Sequence, residues 1–160
     1  MQVNPWLVLA LVGGLVGADQ VRAEETAREA TVEVVAKRSL MSATSTLAVG
    51  GGFVAGGELF AADGTTRVGD GYSHCGALTV SVAVPPEVTA QCASVYRLKE
   101  GEIYFSGIRT YKSIAAGFGD TTVGVTGGTG AYANARGEGK VTRLGGQEVG
   151  YKIVFTVTTD

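Results

Sequence analysis

VTGGTGAYANARGE, residues 125–138, decides how the chain is read. A short apolar run ending in Thr-Gly-Gly-Thr-Gly matches, locally, the entrance to a dinucleotide-binding fold. Glycines after a strand let the backbone approach a pyrophosphate, and a following helix turns its N-terminus toward the charge. Ala133 stands in for the last glycine, and Glu148 lies near the position of a ribose-binding acid. The context defeats this reading. The motif should open a βαβ unit, yet it begins at residue 125 of 160. The next stretch, ANARGEGK, holds Gly137 and Gly139, and each would cost a helix about 1 kcal/mol. Beyond it, KVTRL and VGYKIVFTVT have a strand's composition. The glycines therefore read as a kinked crossing between two strands. Gly127, Gly128 and Gly130 supply positive φ or room for crowded backbone, and Tyr132 and Arg136 pack back over the crossing.

Period-2 alternation and β-branched runs dominate the chain after residue 30. Strands are expected over 31–37, 76–84, 89–98, 102–111, 121–126, 138–144 and 149–158, with 44–61 forming a strand pair or one long bent strand. Pro85-Pro86, Glu100-Gly101 and Gly145-Gly146 mark turns between them. About eight short-linked strands are the signature of an antiparallel barrel or sandwich. Interior glycines such as Gly57, Gly107 and Gly124 suit the bends of a small barrel.

The N-terminus reads differently. WLVLALVGGLVGA, residues 6–18, is too short to span a bilayer comfortably. Val21-Arg22-Ala23 comes next as a small-x-small cleavage pattern, so residues 1–23 are expected to be a secretory signal peptide, with a membrane-anchoring helix as the alternative. Residues 24–160 then form one domain, secreted or periplasmic, with no stable membrane insertion of its own. The net charge of -2 is interspersed and no basic stripe exists, which argues against nucleic acid. A homo-oligomer is left open. The 25 glycines and 3 prolines point to turns and bulges rather than a disordered linker.

Two cysteines, Cys75 and Cys92, in an exported chain favour a disulfide, with two free thiols as the alternative. If Pro85-Pro86 is the hairpin turn, residues near 96 rather than 92 lie opposite Cys75, and a bulge is needed to bring the pair together. His74 is the one histidine and has no nucleophile or acid at triad spacing. Neither a second histidine nor a CxxC or EF-hand spacing suggests a metal.

RVGDGYSHC, GEIYFSG and VTGGTGAYANARGE together resemble the allene oxide cyclase-like barrels and the related dirigent proteins, over about residues 50–158. The Gly-Gly-Thr-Gly turn, the aromatic, the Ala and the Gly before two final strands are the specific part. The resemblance implies an eight-stranded antiparallel barrel, all-β, whose cavity binds an apolar small molecule without a cofactor. It also implies site residues. A first-strand glutamate at the cavity floor corresponds to Glu33, with Val35 where the family has asparagine. A cavity cysteine corresponds to Cys75. The family's tyrosine after the strand glycine is Arg109 here, with Tyr111 two residues on and on the same face. Bacterial barrels that close polyketide rings share the coarse shape and work by folding a chain into a near-attack conformer.

Glu33, Arg109 and Tyr111 are thus the candidate catalytic residues. Pointing inward, Glu33 would have a raised pKa and could protonate or orient an intermediate. Arg109 and Tyr111 would supply a cation and a phenol to an enolate or carboxylate. Pointing outward, all three are surface groups, and alternation alone does not fix the parity. Three functions are compatible with these residues: a cofactor-free cyclase or isomerase acting on an apolar oxygenated molecule, a secreted binder of a hydrophobic small-molecule ligand, or a barrel packed solid with apolar side chains.

Overall fold

The computed structural model describes residues 27–160, so the expected signal peptide lies outside the described residues. Eight strands run in chain order: β1 (Arg28–Met41), β2 (Gly52–Phe60), β3 (Arg67–Val80), β4 (Val88–Leu98), β5 (Gly101–Tyr111), β6 (Thr121–Gly128), β7 (Arg136–Arg143) and β8 (Gly150–Thr159). Each pairs antiparallel with its neighbours in sequence, and β1 pairs with β8 from Arg28↔Thr159 to Lys37↔Gly150, which closes the barrel. Among the described residues no helix is long and apolar enough to cross a membrane.

Alternation fixes which side chains fill the lumen. On β8, Tyr151, Ile153, Phe155 and Val157 are buried while Lys152, Thr156 and Thr158 face out. On β4, Val88, Ala90, Cys92, Ser94 and Tyr96 are buried, and Gln91, Ala93 and Arg97 are exposed. One end of the lumen is packed solid. Tyr96, Phe105 and Phe155 meet there with ring centroids 4.8, 5.9 and 5.1 Å apart, beside Leu59 and Ile103. Gly71 makes this possible, since a Cβ on it would stand 2.4 Å from the Tyr96 ring.

The glycine cluster closes that same end. A single 3-10 turn, Gly130–Tyr132, comes after β6. The amides of Thr129 and Ala131 donate to the carbonyls of Glu102 and Glu100, each at 2.9 Å, so the crossing is laced to the β4–β5 turn. Gly130 has φ +59, and a Cβ there would meet the Glu100 carbonyl at 2.4 Å. Tyr132 is buried over the crossing, and Arg136 Nη1 donates to the Ala135 carbonyl at 2.7 Å. The glycines serve backbone packing, as the sequence context implied.

Three expectations are adjusted. The stretch 44–61 gives one strand, β2, preceded by a connection over 42–51. RVGDGYSHC belongs to β3, a single long strand, and residues 81–84 leave the ladder. The ladder places Cys75 directly opposite Cys92, not near residue 96, because the connection is centred before Pro85 and the register shifts once between Ala77 and Thr79. The two cysteines form a disulfide, with Cα atoms 4.1 Å apart, and both sulfurs lie in the buried lumen wall.

The Cys75→Ala/Cys92→Ala double variant is expected to keep the barrel and lose about 3 kcal/mol, the loop-closure value for this spacing. A denaturant melt beside far-UV circular dichroism measures both. An unchanged midpoint would mean that the β3–β4 ladder alone holds this hairpin.

Candidate functional site

At the other barrel end the connections 42–51, 81–87, 112–120 and 144–149 surround the mouth. The 112–120 connection turns inward and inserts Phe118 as a plug. The Phe118 amide donates to the Tyr151 hydroxyl at 2.6 Å, Gly119 donates to the Thr110 carbonyl at 2.8 Å, and Arg143 Nε donates to the Ala116 carbonyl at 2.8 Å. Gly117 permits the turn. Its φ is +71, and a Cβ would lie 2.5 Å from the Tyr151 hydroxyl. The Phe118 ring stacks on Phe53 at 6.2 Å and meets Tyr111 edge-on at 5.7 Å.

Beneath the plug sits Arg109. Its position on β5, alternating with exposed Ile108, directs it into the lumen, where it is 7% exposed. The guanidinium carbon lies 4.4 Å from the Phe118 centroid and 5.4 Å from that of Tyr151. Its Nε and Nη2 have no hydrogen-bond partner among the described residues. Burial lowers its pKa, an effect that Tyr151 and Tyr96 partly offset, yet a guanidinium stays protonated at neutral pH. Burial also pushes the neighbouring Tyr96 phenol well above its ordinary value, so that ring keeps its proton. An unsatisfied buried charge is costly.

Arg109 lines a cavity of about 50 Å³ together with Arg38, Ser73, Tyr96, Phe118 and Tyr151. Such a space admits a few waters or a small polar group, not a whole drug-sized ligand. Volume therefore does not exclude a solidly packed barrel; the unpartnered guanidinium is what argues against one. No acidic residue and no histidine lines this cavity, and among the described residues no cluster of metal ligands occurs.

The sequence-derived candidates separate. Arg109 and Tyr111 both face inward, but into different spaces on either side of Phe118. Tyr111, 5% exposed and with its hydroxyl unpartnered among the described residues, borders a mouth pocket of about 290 Å³ with Leu47, Val80, Pro85, Pro86 and Ile114. Burial raises its pKa. Glu33 does not reach the lumen. It lies on the outer face of β1, between the inward Val32 and Val34, and its carboxylate pairs with Lys152 on β8 at 3.1 Å. The cavity-floor role implied for Glu33 is thus corrected by strand parity. Cys75 faces the lumen as the resemblance implied, but is bonded to Cys92. Sequence reading missed Arg38 and Phe118. A bulge in β1 between Arg38 and Leu40 hides the parity of Arg38, and Phe118 lies in a connection where alternation carries no information.

No protein-family model and no curated protein sequence matches the chain. Among solved structures the fold is similar to that of pyocyanin demethylase, with TM-score 0.61 and 21% identity, over 78% of this chain and 98% of that one. Two pterocarpan synthase dirigent proteins are also similar, with TM-scores 0.56 and 0.54 and identities of 11% and 12%. Each match covers 84% of this chain, and 86% and 94% of the respective dirigent chains. The architecture is therefore the dirigent-type eight-stranded barrel.

Two outcomes test this site. Arg109→Met removes the buried charge but keeps the bulk, and is expected to melt no lower than the parent, because relief of desolvation outweighs a cation–π contact of about 2 kcal/mol. A clear fall in Tm would instead make Arg109 a structural strut. Gly117→Ala is expected to cost more than about 1 kcal/mol, the scale for a side chain forced to positive φ, and to speed hydrogen exchange at the Phe118 amide. Unchanged exchange would mean that the plug does not depend on this turn.

Proposed function

We propose that this barrel binds an apolar small molecule and receives that molecule's oxygen-bearing end in the lumen, at Arg109. The observation that carries this reading is the buried guanidinium with unpartnered Nε and Nη2 in an aromatic-walled cavity. A packed structural barrel gains nothing from such a group, whereas a binding site gains charge-assisted hydrogen bonds strengthened by the low local dielectric of a buried setting. The names of the similar structures, a pyocyanin demethylase and a pterocarpan synthase, point to small-molecule chemistry in those proteins, and the likeness in fold supports a small molecule here. The buried disulfide supports an oxidising, extracytoplasmic setting.

Native mass spectrometry after gentle purification, followed by a panel of polyene, epoxide and fatty-acid compounds, tests the binding. Retention or uptake of at least one compound at one per barrel is expected. Failure of every compound to bind, in a protein shown to be folded, would overturn it.

A second reading makes the same site a cofactor-free cyclase or isomerase. It is favoured by the geometry at Arg109, whose N–H donors could stabilise charge developing on an enolate or alkoxide. With no carboxylate or histidine lining the cavity, acid–base transfer would fall to the phenols. The larger contribution would come from confining the chain in a near-attack conformer. Under this reading Arg109→Met lowers turnover by about 100-fold or more, while Glu33→Gln changes nothing. Chiral chromatography of products from both variants decides it; equal loss in the two would contradict the geometry.

A further inference from the structure

We infer that the group received at Arg109 is a carboxylate, presented by a small planar acid and held between Arg109 and Arg38. This rests on the binding reading above and specifies its ligand. The lumen cavity is lined by Arg38 and Arg109 and by no acid; Lys37 borders it too, but from an outward position on β1. Lys37 is engaged over the Phe60 ring at 4.7 Å. Arg38 Nη1 meets only the Met41 sulfur, at 3.0 Å, a weak acceptor, and Arg38 has no ion pair among the described residues.

Two acids border Arg38 from the outside. Glu58 and Glu148 lie in the outer groove that also touches Lys37 and Arg38, not in the lumen cavity. Glu58 is paired with Arg67 at 3.1 Å. The buried charge of Arg109 is therefore left uncompensated by the residues that line the cavity. A forked guanidinium matches a carboxylate's two oxygens, and a second arginine lining the same cavity would let each oxygen accept from more than one donor.

The walls define the rest of the molecule. Phe118, Tyr151 and Tyr96 present rings around Arg109, and such rings favour a flat, unsaturated body by offset stacking. With Phe118 seated, the cavity of about 50 Å³ holds the carboxylate end alone, so the ring must take space that Phe118 yields. The Ser73 and Ser94 hydroxyls, 2.7 Å apart, satisfy each other, so the serines do not compete for the carboxylate.

The test uses matched probes with the purified protein. Benzoate and benzamide share shape and differ in charge. Isothermal titration is expected to show benzoate binding at one per barrel, and benzamide weaker by about 10- to 100-fold, the scale of a charged hydrogen-bond pair. Arg109→Met should abolish benzoate binding, and Arg38→Gln should weaken it in a protein that melts like the parent. Equal affinity for benzamide would overturn the carboxylate while leaving the binding reading intact. Equal heats and stoichiometry from phosphate or chloride would show a site for small inorganic anions and overturn the acid. Binding of neither aromatic probe would overturn this inference, and the compound panel above judges the broader reading separately. Benzoate affinity unchanged in Arg109→Met would place the probe elsewhere and end the proposal.

Discussion

The ladder between β1 and β8 is the constraint on which the rest of the molecule depends. It joins the first strand to the last across the whole domain and removes the two edges that an open sheet would present. Closure also fixes the inside and the outside of every strand at once, because side chains alternate along each strand between its bulges. Once Val34 faces Ile153 within the lumen, Glu33 must face Lys152 outside it. The same rule sends Arg109 inward, wherever its charge would be more comfortable. The lumen is then a place where a polar group is held by topology rather than by a local preference for burial.

That placement gives the two barrel ends different characters. At the glycine-crossing end, aromatic and aliphatic side chains fill the space, and Gly71 yields its volume to Tyr96. At the mouth, Phe118 comes from a connection rather than a strand and covers Arg109 without satisfying it. A ring face attracts a cation but accepts no strong hydrogen bond. The result is a small space around a buried positive charge, roofed by one phenylalanine, with a larger apolar pocket and the Tyr111 hydroxyl on the far side of that roof. A disulfide in the wall between the ends holds β3 to β4 and keeps both sulfurs out of reach of solvent.

Much of this was legible in the residues. The alternation in VGYKIVFTVT and TAQCASVYRL matches strands close to those found, and Gly128 and Gly130 proved to sit where backbone crosses backbone, while Gly127 is an ordinary residue of β6. The N-terminal half of β3 was harder to see, because Gly69, Gly71 and a run of polar residues mask its period. The partner of Cys75 was misjudged for one reason: the prolines sit at the end of the connection rather than at its centre. Glu33 lay beyond reach, since Val32, Val34 and Val35 surround it with apolar neighbours on both parities. Arg109 was a candidate through the family resemblance, with its parity open, and its lack of a partner depends on which residues line the cavity, which only closure of the barrel reveals.

Function here turns on what occupies the space beside Arg109. Crystals grown with 4-bromobenzoate, recorded at the bromine absorption edge, address it directly. One anomalous peak is expected inside the barrel, with the carboxylate on the Arg109 guanidinium and the ring against Phe118 or Tyr151. Bromine found only on the outer surface or only in the pocket beside Tyr111, with Arg109 still unpartnered, would contradict a carboxylate site in the lumen.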